Sequence, residues 1–411
     1  MRAELGHIRS IEGLRGVAVL WVIVFHYVIL RNGKFDDPWL ALVDRVRPLQ
    51  VIVGNGYLGV DLFFLITGFL LTLPWFHHAA EGRAAPSARD FYVRRVRRIV
   101  PAYYVQLAIL FALVVPLARG TEFWMRNLWL MLYNIAAHAT FLHYTTPISS
   151  ASLGLNGALW TLALEAQYYA LLPLLAPIFV RWPWRTAIVF SLAATAWRWQ
   201  AAHGLEALVA IESRLGEPWS LPESTIRHLV ATQLPGYLAH FAAGVVVGRA
   251  WLARHGQGPS QKQSAPWLLA AAAALVGLYT LYAANWQVLG DMTWIFLPLG
   301  LGIVMHALVT GAPVAGRLLL ANAPIAFVGR VSYSAYLYHL PTLLLWNRYA
   351  PPNLGWAALP LYLALVLTIS WLSFRLIELP VMRSRALAKE RGRLHRRTEA
   401  AFGNDRRHQP S

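Results

Sequence analysis

Ile11-Glu12-Gly13-Leu14-Arg15-Gly16 and Phe25-His26-Tyr27 belong to one apolar run, joined by Val17-Ala18-Val19-Leu20-Trp21-Val22-Ile23-Val24. A run of this length and hydropathy predicts a membrane-crossing helix. An ionisable side chain in such a helix costs roughly 3 kcal/mol unless it faces a partner or a wet cavity, so Arg15 and His26 point to function. Eleven residues separate them. At ~100° per residue that is about three turns plus ~20°, which puts both on one face, ~16.5 Å apart along the axis. Such a face carries a cation near one membrane surface and a proton-transfer group far from it. It suits an anionic molecule that reacts at its distal end.

The rest of the chain agrees with a membrane reading. Its 411 residues are 57% hydrophobic and only 13% charged, with 18 Trp and 17 Tyr, a richness that fits interfacial aromatic belts. The net charge of +17 does not argue for nucleic acid, because the arginines fall between apolar stretches, where the positive-inside rule puts them. The absence of cysteine excludes disulfides, thiolate metal sites and a thioester on the enzyme. His77, His78, His138 and His143 lack a ligand spacing, and no metal site is expected. Arg2 and Arg9 before an apolar run resemble a signal peptide, but Glu12 and Arg15 interrupt it, and an uncleaved first span is expected.

Ten candidate spans follow from hydropathy, at about 11–30, 57–76, 98–118, 158–180, 184–200, 229–251, 266–284, 292–310, 323–346 and 357–378. The segment Phe123–Leu142 reads as an interfacial or re-entrant helix. Arginines in 77–98 and 249–254, set against the glutamates of 201–227, place both termini on the cytoplasmic side. The fold expected is therefore an all-α integral membrane bundle over residues 1–380, with a basic, largely disordered tail over 381–411 drawn to anionic lipid.

With that orientation, His26, Asp61, Glu165 and His339 fall at a similar depth, toward the extracytoplasmic side. Two carboxylates and two imidazoles suit general acid/base chemistry, with Asp61 or Glu165 orienting His26 as the base. A structural ion-pair network is the bland alternative. Ser332, Tyr336 and His339 share one helix face. Arg95 and Arg98 share another and, with Arg15, are able to grip phosphates at the inner surface. Arg94 and Arg97 read as a topogenic flank.

Five blocks, in order, resemble the acyltransferase family 3 membrane proteins. They are Arg15…His26; Gly59-Val60-Asp61-Leu62-Phe63-Phe64 with Thr67-Gly68-Phe69; Arg95, Arg98, Ile99, Pro101 and Tyr103; Trp160-Thr161-Leu162 with Glu165; and Ser332, Tyr333, Tyr336, Leu337, His339 and Pro341, with Glu378 closing the last span. The resemblance covers about residues 8–380, and the esterase-like domain fused to some members has no counterpart in this stretch. It implies a ten-helix core that moves an acyl group, commonly acetyl, from cytoplasmic acyl-CoA to sugar hydroxyls on the extracytoplasmic side of a bacterial inner membrane. It further implies His26 as a catalytic group and Arg15, Arg95 and Arg98 as acyl-CoA contacts; the depth map adds Asp61 and Glu165 as catalytic candidates and Trp160, Ser332, Tyr333, Tyr336 and His339 as candidate cavity lining. Acyl-CoA is then a co-substrate and no cofactor stays bound. A continuous hollow is expected between the inner arginines and His26, and the segments 119–157 and 201–227, by position, are expected to select the acceptor. A proton-coupled transporter or flippase is the alternative from another class, disfavoured by the lack of repeat symmetry.

Overall fold

The computed structural model describes residues 9–31, 36–122, 128–145, 156–207, 210, 222–254, 264–283 and 293–383. The basic tail from 384 on, the first eight residues and most of the acid-rich 208–221 segment lie outside the described residues. Among the described residues all regular structure is helical.

The helices are α1 (Arg9–Arg31), α2 (Pro38–Arg45), α3 (Arg47–Gly54), α4 (Leu58–Ala80), α5 (Ala88–Ile109, continued to Arg119 through a π turn) and α6 (Leu128–Ala139). They continue as α7 (Trp160–Arg181), α8 (Pro183–His203), α9 (Glu223–Ala231), α10 (Leu234–Arg254) and α11 (Ser264–Ala283). The last are α12 (Thr293–His306), α13 (Pro313–Leu320), α14 (Ala323–Tyr349) and α15 (Ala358–Ser373, continued by a π turn to Glu378). Starts are capped where the sequence supplies a short polar side chain. Asp37 accepts from the Trp39 amide at 3.0 Å, Ser87 from the Asp90 amide at 3.3 Å, and Asn322 from the Ile325 amide at 3.0 Å.

Helices occupy all ten positions read from hydropathy, yet among the described residues seven are long and apolar enough to cross a membrane, or eight if the bent pair α12–α13 is one span. α8, with Arg185 and Arg198, and α14, with Arg330, His339 and Arg348, have the length but not the hydropathy. For α14 the physical reason is that other helices wrap it; α8 instead carries Arg185, Arg198 and further polar residues while presenting Trp184, Ile188, Val189 and Leu192 outward. α14 alone buries fifteen of its side chains, so it needs no lipid-compatible surface. α11 is the opposite case. It buries only Ala271 and presents Leu269, Leu275 and Val276 outward, as a lipid-facing helix does. The protein is a multi-pass membrane protein. Within Phe123–Leu142 a single helix, α6, covers 128–139, and 123–127 lie outside the described residues.

Two glycine contacts position the site. α1 and α14 touch backbone to backbone: a Cβ on Gly329 would lie 1.9 Å from the Glu12 carbonyl oxygen, and one on Gly16 would lie 2.5 Å from that of Ile325. α4 and α10 meet the same way, Gly68 against Phe241 and Gly244 against Leu65, where added Cβ atoms would stand 2.1 and 2.0 Å from carbonyl oxygens. Small residues are what allow membrane helices to approach this closely. Beyond His26, Tyr27 donates to Asp37, and Arg31 bridges Asp37 at 3.4 Å and Asn347 at 2.6 Å, latching the ends of α1 and α14.

Candidate active site

Two cavities flank the α1–α14 contact. The first, of about 250 Å³, collects Arg15 from α1, Arg95 and Arg98 from α5, and Glu165 and Tyr169 from α7. Ser332, Tyr333 and Tyr336 of α14 close it, and Val60, Phe63, Ile66 and Leu70 form its apolar wall on α4. Three guanidiniums against one carboxylate leave +3 − 1 = +2, a site for an anion. Glu165 accepts from Tyr169 and, at 3.4 Å, from Thr67, so its carboxylate is held among the arginines. Tyr333 donates to the Ile99 carbonyl at 2.8 Å, fixing α14 against the turn of α5 that carries Arg98. Arg94 is exposed, and neither it nor Arg97 lines this cavity, as their flank position suggested.

The second cavity, of about 380 Å³, is walled by rings: Phe25, His26, Tyr57, Tyr144, Trp160, Tyr237 and Trp294, with Thr232 and His228 as further polar groups. Trp160 stacks obliquely between Tyr144 and Tyr237, at 5.1 and 5.6 Å. Tyr144 and Thr232 share a 2.6 Å hydrogen bond across the chamber wall. Tyr144 and Gly157 belong to the 119–157 segment, and 146–155 lie outside the described residues.

His339 lies between the two. It is fully buried, its Nε2 is 3.3 Å from His26 Nδ1, and the two rings are 5.0 Å apart. Carbonyl partners assign the tautomers, since a carbonyl can only accept. His339 Nδ1 is 2.8 Å from the Tyr336 carbonyl oxygen and so carries the proton, leaving Nε2 as acceptor. His26 Nδ1 is 2.9 Å from the Val22 carbonyl oxygen and also carries its proton. The lone pair of His26 is therefore on Nε2, on a ring that lines the second chamber. Tyr362 donates to the His339 carbonyl at 2.9 Å and anchors this turn to α15.

Two expectations are corrected by this arrangement. Among the described residues no carboxylate contacts His26; the neighbouring imidazole of His339 does. Asp61, 1% exposed, faces His240 on α10 instead, with Oδ1 and Nε2 3.0 Å apart in a close polar contact that is not an aligned hydrogen bond. The tight α4–α10 approach through Gly68 and Gly244 turns that side of α4 away from α1. Glu165 belongs with the arginines rather than with His26. It follows Trp160 by five residues, ~7.5 Å along α7, enough to carry it from one chamber to the other. The linings of the two cavities have no residue in common.

Of the remaining candidates, Trp160 lines the second chamber, Ser332, Tyr333 and Tyr336 line the first, and His339 stands between. Sequence reading missed Tyr169, Tyr237, His240 and Arg198. Arg198 is 2% exposed, donates from Nε to the Gly236 carbonyl at 2.8 Å and lies over the Trp294 ring at 3.4 Å. The rule that flagged Arg15 also applies to His240 and Arg198, both ionisable and inside apolar stretches. Tyr169 had a signal too, four residues after Glu165 on one helix face.

A cationic cavity and a ring-walled cavity thus lie on either side of a histidine pair in a bundle of apolar helices. The acyltransferase domain profile matches residues 8–375, and the chain belongs to the acyltransferase 3 family. It is 23% identical over 402 residues to the peptidoglycan O-acetyltransferase OatA of Listeria monocytogenes, covering 92% of this chain and 56% of that protein. It is 22% identical over 405 residues to O-acetyltransferase OatA of Staphylococcus aureus, covering 91% of this chain and 57% of the relative. Nodulation protein 10 of Rhizobium leguminosarum is 33% identical over 144 residues, a third of this chain and 37% of that one. The chain thus spans a little over half the length of the OatA relatives. No solved structure matches it significantly.

Proposed function

We propose that this chain is an O-acyltransferase of the bacterial plasma membrane that moves an acyl group, acetyl first of all, from acyl-CoA to a hydroxyl of a cell-envelope carbohydrate. The observation that carries this reading is the placement of His26. Its ring lines the aromatic chamber and touches His339, whose helix turn begins at Tyr336 in the wall of the cationic cavity. Arg15, Arg95 and Arg98 hold the donor phosphates by charge-assisted hydrogen bonds. Trp160, Tyr237 and the neighbouring rings offer the flat apolar faces on which sugar C–H surfaces rest. The OatA relatives, named as O-acetyltransferases, support the acyl group and the kind of acceptor.

In the reaction the acceptor hydroxyl gives its proton to His26 Nε2 as its oxygen attacks the thioester carbonyl carbon. The C–S bond then breaks, and the CoA sulfur leaves with the proton that His26 returns. Ester and free thiol are the products. Asp61 with His240 acts as a structural support of α4, and Glu165 positions the arginines. Ten crossings, cytoplasmic termini and arginines facing the cytoplasm complete the proposal, together with an acyltransferase domain over 1–380 and a lipid-directed tail over 381–411. The loop charges support this orientation.

The test is transfer in sealed vesicles loaded with labelled acetyl-CoA on the arginine side and envelope carbohydrate on the other. Ester formation matched by thiol release is the expected result. Flux driven by a pH gradient without thioester consumption would identify a transporter instead. Arg98→Ala should raise KM for acetyl-CoA ten- to a hundredfold with a smaller change in kcat, since a hydrogen bond to a charged group contributes about 1.5–3 kcal/mol. An unchanged KM would remove Arg98 from the donor site.

A further inference from the structure

Rings of the two linings meet where the chambers adjoin, Phe64 against Trp160 and Tyr237, and one ring of this layer is held differently from the others. Phe64 is 3% exposed and fixed by Trp160, Tyr237 and Phe241, at 6.2, 4.7 and 5.1 Å. Tyr336 is clamped at its hydroxyl, which donates to the Ala158 carbonyl at 2.9 Å and accepts from Thr161 at 3.0 Å. Phe63 is only half-buried, and among the described residues its ring partner is Tyr336 alone, edge-on at 6.1 Å. It also lines the cationic cavity, on the apolar α4 wall between Val60 and the Ile66–Leu70 stretch. A donor arm that lies along this wall passes Phe63 where that ring meets Tyr336, on the helix turn that carries His339.

Building on the acyl-transfer reading, we propose that Phe63 is the acyl-size filter of this enzyme. Its ring swings off Tyr336 to let a two-carbon acyl group reach His26, and it occupies the space a longer chain needs. A phenyl ring and the additional methylenes of a hexanoyl group have similar volumes, so Phe63→Ala exchanges one for the other. The chemistry of transfer is unchanged; the thioester admitted is different. The rigid neighbours Phe64 and Tyr336 keep the widened passage from collapsing, as an interior that relaxes only in part leaves a cavity behind.

The experiment has two arms, and the first needs no acyl chemistry. The chain contains no cysteine, so Thr67→Cys places a single thiol in the cationic cavity, one helical turn beyond Phe63. A small membrane-impermeant thiol reagent is added to vesicles from the His26 side. Labelling at least tenfold faster with Phe63→Ala than with Phe63 is expected, while labelling from the arginine side is the same in both. Equal rates from the His26 side would overturn the filter.

In the second arm, ester-linked acids are released by mild alkali from the envelope carbohydrate of the native host carrying each variant. The hexanoyl-to-acetyl ratio should rise at least tenfold with Phe63→Ala and by an intermediate amount with Phe63→Leu, which keeps the test decisive if the alanine variant does not accumulate. A ratio unchanged within twofold, with acetyl transfer retained, overturns the filter. Absence of any ester transfer by the unsubstituted chain overturns the acyl-transfer reading itself, a different outcome from a ratio that does not move.

Discussion

His26→Ala is expected to lower acyl transfer by 10²–10⁴-fold, the range a positioned general base contributes, while the protein still inserts and folds. The imidazole is the group in the aromatic chamber with a lone pair assigned by its neighbours: Nδ1 is committed to the Val22 carbonyl and His339, which leaves Nε2. Its removal takes away one partly buried ring, and His339 keeps its hydrogen bond to Tyr336. The loss should therefore appear in kcat, with KM for the donor little changed, because the arginine cavity is built from other residues. Initial rates of ester formation, with gel-filtration profiles of wild-type and variant protein in detergent, decide it. A folded His26→Ala protein that transfers within a few-fold of wild type would remove the base from the mechanism.

Gly329→Ala should destabilise the bundle by about 3 kcal/mol, at the upper end for overpacking. The added Cβ would fall 1.9 Å from the Glu12 carbonyl oxygen, and a backbone atom has no rotamer to yield. Gly16 makes the reciprocal approach to Ile325 one turn away, so α1 and α14 have to part along their contact. That parting also draws His26 away from His339, and activity should fall along with stability. The melting temperature in detergent and residual activity well below it are the measurements. An unchanged melting temperature would show that the two helices do not depend on this contact.

Much of the molecule is readable in its residues before any coordinates. The apolar stretches fixed where the long helices lie because hydropathy is summed over twenty residues and tolerates local exceptions. Arg15, Arg95 and Arg98 were found by spacing and do converge on one cavity, since helix periodicity alone places them on facing surfaces. Pairings between helices were not readable. Depth arithmetic put Asp61 level with His26 but says nothing of azimuth, and it is the glycine contact with α10 that turns Asp61 toward His240. Glu165 was misplaced for a related reason: a 3₁₀ turn at Gly157–Leu159 starts α7, and a few residues of uncertainty at a helix start shift a side chain by one chamber. α14 shows the converse, a helix too polar for a lipid test because neighbouring helices, not lipid, surround it.

The ring layer of Phe63, Phe64, Tyr336 and Trp160 bears on the energetics of the whole cell as well as on transfer. A protein hollowed toward both faces of an energised bilayer would discharge the ion gradient if water threaded it from end to end. Phenyl faces offer a proton no foothold, so between the two cavities the polar groups it could follow narrow to the His26–His339 pair and the Tyr336 hydroxyl. Under the proposed reading, those few groups are where the insulation of the barrier has to be kept.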